Sequence, residues 1–229
     1  MKEQVFANAQ YNVARSGSLP VRIAGHQRQK MFKAFLDAMA PGRSDTILDV
    51  GVTSDQSYDH SNYLELWYPF KDRVTACGID DASFLESDYP GMRFVQADGR
   101  NLPFDDRSYD FVHSSAVLEH VGNRANQTAF ISELWRVARR GIFVTTPNRW
   151  FPVEFHTVLP LVHWLPPDIF RAIMRRTGRS FFSQEENLNL LGAGDVRKIA
   201  TTVGVASPRV EHVTLGLWPT NLLLIGRKS

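Results

Sequence analysis

Residues 46–55 read TILDVGVTSD, a short apolar and β-branched run that stops at Asp-x-Gly. This is the pattern of a buried parallel strand turning sharply toward a helix. In such sheets nucleotides bind at that turn, where glycine lets the backbone come close to a ligand. Two acidic stretches downstream answer it, CGIDD at 77–81 and VQADG at 95–99. Asp49, Asp80 and Asp98 therefore each close an apolar, strand-like run. An acid ending the second strand can accept hydrogen bonds from a ribose diol. A single Asp after a strand is more often a turn or a helix cap, so it is the order of the three that points to a nucleotide-like ligand.

Working outward, Phe32, Phe35, Leu36 and Met39 follow the i, i+3, i+4, i+7 spacing of one helix face over 21–39, ended by Pro41 and Gly42. Residues 1–20, polar and containing Gly17 and Pro20, read as an irregular arm. Downstream, Tyr63, Leu66, Trp67 and Phe70 repeat the helical spacing near Pro69. Strands follow at 74–79, 93–96 and 109–114, then a helix over 124–139 striped with Phe130, Leu134 and Val137, then a fifth strand at 141–146. Residues 148–182 break the alternation. Their first half is dense in aromatics and prolines. Their second half puts Ile169, Phe170, Ile173 and Met174 on one helical face, with Arg171, Arg175, Arg176 and Arg179 around it. Placed after the fifth strand, this segment would overhang the ends of the sheet. A last helix carries Val196, Ile199, Ala200 and Val203 up to Gly204, and strands at 207–215 and 221–226, joined by a turn with Pro219, pair as an antiparallel hairpin.

The stretches ILDVG, GID, FVQADGRNLPFDDRSYDFVHSSAVLEHV and ELWRVARRGIFVTTPN together resemble the class I S-adenosylmethionine-dependent methyltransferases, and within them the methyltransferase type 11 group. The long middle stretch is the most specific: Asp98, then Leu102-Pro103-Phe104, then acids before the strand, then Leu118-Glu119-His120. The resemblance covers 47–148 and implies a doubly wound α/β fold, a Rossmann-like seven-stranded, mostly parallel sheet with one antiparallel strand. A helical and aromatic insertion would follow the fifth strand. It further implies S-adenosylmethionine as cofactor. Asp49, Gly51 and the loop to Thr53 would lie under its methionine part, Asp80 would take the ribose hydroxyls, and Asp98 would meet the adenine amine beside Gly99. Ser114 and Ser115 would face the donor centre. The family usually continues Asp-x-Gly with further glycines, whereas Thr53 and Asp55 stand in those places here.

A chain of 229 residues that is 43% hydrophobic suits one domain with a large core. Within it we distinguish an arm and helix (1–42), a cofactor-binding core (43–147), an insertion (148–183) and a terminal helix and hairpin (184–229). The 26 Lys and Arg nearly balance 24 Asp and Glu for a net charge of +2, which gives no case for nucleic acid. The single cysteine, Cys77, sits inside a strand run and forms no disulfide within the chain, as in a reducing compartment. Without an export segment or a run of about 18 apolar residues, the sequence reads as cytoplasmic.

Methyl transfer from a sulfonium is an in-line displacement that positioning and desolvation accelerate without a metal. A hydroxyl acceptor needs a base, and imidazole suits that near neutral pH. His120 follows Glu119 just past the fourth strand, and His156 stands two residues after Glu154 in the insertion, so these two are the candidate catalytic residues. Each has a structural alternative, an orienting role for His120 and a stabilising hydrogen bond for His156. His113 and His163, in apolar surroundings, read as packed. No histidine pair has zinc-ligand spacing with a nearby cysteine, so no metal is expected. The insertion has three readings: aromatics walling an acceptor pocket, plain core, or a helix at 167–179 lying weakly on an anionic membrane surface. The sequence therefore predicts methylation, most simply at oxygen, of a small-molecule, sugar or lipid-linked acceptor. The alternatives are a non-catalytic binding or scaffold protein of the same fold and a nicotinamide oxidoreductase. The longer gap from Gly51 to Asp80 and the missing Gly-x-x-Gly argue against the latter.

Overall fold

The computed structural model describes residues 18–58 and 60–228. Most of the arm expected over 1–20 lies outside the described residues, but its end does not behave as an arm. Helix α1 (Leu19–Met39) starts there, with Ser18 at its N-cap and proline in its first turn, where a missing N–H leaves no bond unmade. The helix ends as Ala40 turns left-handed (φ 45°) and donates its N–H to the Leu36 carbonyl at 2.8 Å.

The order along the chain continues as β1 (Ile47–Val50), α2 (Tyr63–Trp67), β2 (Val74–Gly78), α3 (Phe84–Asp88), β3 (Arg93–Gln96), β4 (Tyr109–Ser115), α4 (Arg124–Val137) and β5 (Ala138–Pro147). After these come α5 (Pro167–Arg176), α6 (Ala193–Val203), β6 (Arg209–Leu215) and β7 (Trp218–Arg227). The strands form one sheet in the order β3-β2-β1-β4-β5-β7-β6. Strand β7 lies antiparallel to both its neighbours and the other pairings are parallel. The sheet is thus the seven-stranded, mostly parallel one expected, with a single reversed strand. Helices α1, α2 and α3 cover one face through Phe35, Met39, Leu64 and Leu85. Helices α4 and α6 cover the other through Phe130, Leu134, Val196 and Ile199. All four residues of β1 are buried, as a central strand covered on both faces requires.

Three boundaries and one short helix differ from the sequence reading. The helix expected to run toward Phe70 stops at Trp67, because Tyr68 precedes Pro69 and is pushed into the extended region (φ −70°, ψ 127°). Ala138 and Arg139, expected to finish a helix, begin β5. Ala138 pairs with Tyr109, and Arg139 and Arg140 reach Asp110 and Asp45 at 3.2 and 2.8 Å. The hairpin turn falls at Gly216 (φ 59°) and Leu217, while Pro219 lies inside β7 beside a slip in register, the kind of place where a strand tolerates proline. Helix α3 was too short for a periodic signal. The insertion has its own small core of Phe170, Met174, Phe182 and Leu188.

Candidate active site

Around β1, where the strand order reverses between β2 and β4, the carboxyl ends of β1 to β4 open into a cavity of about 510 Å³. This is the usual ligand position in an open α/β sheet. Its floor is backbone. Gly51 has φ +102°, and a Cβ there would stand 2.1 Å from Val117 Cγ2, so only glycine fits. At Gly99 a Cβ would meet Phe130 Cε2 at 2.5 Å, so the end of β3 lies flush against α4. The loop that carries Thr53 and Asp55 in place of glycines is held by side chains. Asn62 accepts the Thr53 N–H at 2.9 Å and donates to the Thr53 carbonyl at 3.0 Å. Thr53 Oγ1 then accepts the Asp55 N–H at 3.1 Å.

Of the residues expected at the site, Gly51, Thr53, Asp98, Gly99, Ser115, His120 and His156 line this cavity, and Asp49, Asp80 and Ser114 do not. Asp49 turns to the other face of the sheet, where Oδ1 accepts from His113 Nδ1 at 2.7 Å. His113 Nε2 in turn lies 2.9 Å from the Tyr63 hydroxyl, so the ring carries its proton on Nδ1 and Tyr63 donates. Burial pushes Asp49 up to about 7 and His113 down to about 4. The neighbouring Glu65, fully buried, is pushed well up by burial and by the Asp49 charge. This is a buried, packed cluster beneath the site, and His113 belongs to it. Asp80 is half-buried beyond Gly78 and Ile79, and its Oδ2 is enclosed without a hydrogen-bond partner. Asp98 is gripped by Arg100 through Nη2 at 2.6 Å and Nε at 3.0 Å, contacts that hold its carboxyl below the usual range. Ser115 shares a hydrogen bond of 2.9 Å with Thr145, and Ser114 is buried with its hydroxyl unpartnered.

The two candidate histidines, 36 residues apart, meet. His120 Nε2 and His156 Nε2 are 3.0 Å apart, with the rings perpendicular. His120 Nδ1 donates to the Asn187 carbonyl at 2.7 Å, so His156 is the donor between the two rings. Glu154 Oε1 accepts both the backbone N–H and Nδ1–H of His156, at 2.9 and 2.6 Å, and Oε2 accepts the Thr157 N–H at 2.5 Å. Burial opposes the charge on His156, yet the Glu154 carboxylate holds that imidazole above its ordinary value. Glu154, although buried, is held down to about 2 by His156. Burial and the His156 charge depress His120 to about 3. Glu119, fully buried, is raised to about 6; one oxygen accepts from Thr146 at 2.7 Å and the other has no partner. The turn that presents His156 is tight, with Val158 at φ 55°, an uncommon conformation for a β-branched residue.

Several lining residues escaped the sequence reading. Arg28 comes from the polar side of α1, half-buried at the cavity wall. Its guanidinium is depressed by burial and forms no ion pair with a carboxylate among the described residues. Gly78, Val117, Asn126 and Phe130 complete the wall near Gly51 and Gly99.

A doubly wound sheet with a backbone-floored cavity at its switch point and Asp98 at the cavity wall is the architecture that the class I methyltransferases share. Residues 49–145 match the model of the type 11 family, described as a methyltransferase domain, so the chain carries an S-adenosylmethionine-dependent methyltransferase domain of that kind. Similar solved structures include magnesium protoporphyrin IX methyltransferase from Synechocystis with bound S-adenosylhomocysteine. It is 18% identical with a TM-score of 0.58, covering 97% of this chain and 92% of that one. An S-adenosylmethionine-dependent methyltransferase from Methanosarcina mazei is 17% identical with a TM-score of 0.53, covering 82% and 94%. A possible histamine N-methyltransferase from Thermotoga maritima is 12% identical with a TM-score of 0.57, covering 92% of each chain. No curated protein matches the sequence. The cofactor is S-adenosylmethionine, and the site fits it: two glycine cradles border a cavity large enough for a ligand of that class, and an enclosed, unpartnered carboxylate oxygen on Asp80 lies just beyond its Gly78 and Ile79 wall.

Proposed function

We propose that the chain methylates an oxygen of a small or lipid-linked acceptor, and that His120 and His156 form the centre at which the acceptor hydroxyl is ionised. The observation that carries this reading is the histidine pair, held by Glu154 and Asn187 at the wall of the cofactor cavity. S-adenosylmethionine supplies an electrophilic methyl group on a sulfonium. In this reading Arg28 pairs with its carboxylate, Asp80 accepts from the ribose, Asp98 faces the adenine, and Gly51 and Gly99 allow the close approach. Phe130 and Val117 exclude water from the transfer.

The lipid-linked part of the reading rests on the rim. Trp150, Leu161, Trp164, Leu165 and Ile169 are exposed, and Trp150 packs on Trp164 with centroids 6.3 Å apart. Beside them α5 exposes Arg175 and Arg176. Aromatic rings beside arginines suit weak contact with an anionic lipid surface. Among the described residues no helix is long and apolar enough to cross a membrane.

The test is a screen of hydroxylated acceptors with labelled cofactor, followed by His156→Ala. Turnover should fall by about 10²- to 10⁴-fold with the thermal shift from S-adenosylhomocysteine unchanged. Full turnover of the variant across about pH 6 to 9 would remove the histidine pair from the reaction.

A further inference from the structure

Glu119, His120 and His156 bring three ligand atoms within 4.8 Å of one another. We infer that they form a site for a divalent transition-metal ion at the acceptor end of the cavity, in place of the proton that otherwise bridges the two rings. The first support is the separation of 3.0 Å between the two Nε2 atoms. Bonds of about 2.0–2.1 Å from one ion to two nitrogens at that distance enclose an angle of about 91–97°, within the range of four- to six-coordinate ions.

The second support is the outer layer. Each ring has its Nδ1 fixed by an acceptor, His120 by the Asn187 carbonyl at 2.7 Å and His156 by the Glu154 carboxylate at 2.6 Å. Metal-binding histidines are oriented in this way, with Nε2 left as the ligand atom and, for His156, a carboxylate behind the ring raising its basicity.

The third is Glu119. Its side chain is fully buried, Oε2 is held by the Thr146 hydroxyl, and Oε1 has no hydrogen-bond partner while standing 3.7 Å from His120 Nε2. A buried carboxylate oxygen left unpartnered beside two imidazoles is costly unless something positive meets it. A swing of the carboxylate on the order of 1 Å completes a set of two nitrogens and one oxygen with bonds of ordinary length. That donor set selects a zinc- or iron-like ion over magnesium or calcium. Three protein ligands leave a position open, and both histidines line the cavity. An ion there would bind the acceptor oxygen and lower its pKa. That role rests on the proposed O-methylation, whereas the binding of the ion does not.

The test uses the full chain freed of metal with a chelator. Zinc is titrated by calorimetry and cobalt(II) by its visible absorption, with the thermal shift from S-adenosylhomocysteine measured on the same preparations. We expect one equivalent to bind, with a ligand-field spectrum of nitrogen and oxygen donors. His156→Ala should abolish it. Glu119→Gln, which keeps the shape and the Thr146 contact, should weaken it by more than about tenfold, and Glu154→Gln by about 10- to 100-fold. His212→Ala, on the exposed edge strand β6, should leave it unchanged. Absence of one-equivalent binding, or binding of undiminished affinity in both His156→Ala and Glu119→Gln, overturns the site. If the cofactor product still shifts melting in that case, the methyltransferase reading stands without the metal. If metal binds and the cofactor product does not, the reverse holds.

Discussion

Asp80→Ala should separate cofactor binding from stability. Asp80 Oδ2 is enclosed without a partner, so the ligand-free protein holds a polar atom whose hydrogen bond is unmade. Removing it should leave the ligand-free melting temperature the same or higher. A ribose hydroxyl donating to this carboxylate would contribute about 1.5–3 kcal/mol, so the variant should bind S-adenosylhomocysteine about 10- to 150-fold more weakly. At a concentration 100 times the wild-type Kd, the ligand stabilises the native state by about 2.7 kcal/mol. For a chain of this size that is a rise of about 5–11 °C. After a 100-fold loss the same concentration only equals Kd, leaving about 0.4 kcal/mol, or about 1–2 °C. Differential scanning fluorimetry over a ligand series measures both quantities. A variant that keeps the full shift would show that this acid does not hold the cofactor.

Gly51→Ala puts a Cβ 2.1 Å from Val117 Cγ2 at a φ of +102°; we expect a loss of more than about 1–3 kcal/mol by chemical denaturation, together with loss of cofactor binding. Asp49 makes a pH-dependent prediction. Its folded value of about 7 exceeds the ordinary value of about 3.9, so between those pH values the unfolded chain ionises and the folded one does not, and stability falls as pH rises. Asp49→Asn lacks that loss, so its stability relative to wild type should improve by on the order of 4 kcal/mol from about pH 4 to pH 7, and a pH-independent difference in urea titrations would refute the buried assignment. Changing Arg175 and Arg176 to Gln should reduce sedimentation with anionic vesicles, and added salt should reduce it for the wild type as well; no binding at low salt would remove the membrane contact.

What the sequence made legible was chiefly what the backbone does. The apolar runs that end in acids are the strands, and Gly51 and Gly99 line the cavity at positions with no room for a Cβ. Asp49 was misplaced by reading a motif without its period. Leu48 and Val50 pack with Val112 and Val144 against α4 and α6, whereas Ile47 packs toward α1. Alternation along a strand therefore sends Asp49 toward α1 and α2, where His113 and Tyr63 receive it. That signal was available in four residues. The meeting of His120 and His156 was not, because it depends on the path of an insertion without periodicity and on turns such as that at Val158. Arg28 was equally hidden, since one arginine on the polar side of an amphipathic helix looks like any solvated charge.

The two halves of the site are thus built by different means. Around the floor of the cavity the contacts are made by strand ends whose positions the sheet dictates, as when the Gly51 and Val52 N–H groups both donate to the Cys77 carbonyl at 2.7 and 3.2 Å. Two of the usual glycines are replaceable there because Asn62 closes the loop from outside. The half that holds the histidine pair instead depends on groups from β5 onward: the Thr146 hydroxyl holding Glu119, the Glu154 carboxylate holding His156, and the backbone carbonyl of Asn187 holding His120. These fix both imidazoles in orientation by bonds to atoms that the sheet does not position. A change of a few residues in the segment after β5 would therefore reorient the histidine pair, and with it the proposed acceptor chemistry, while the floor of the cavity stayed as it is.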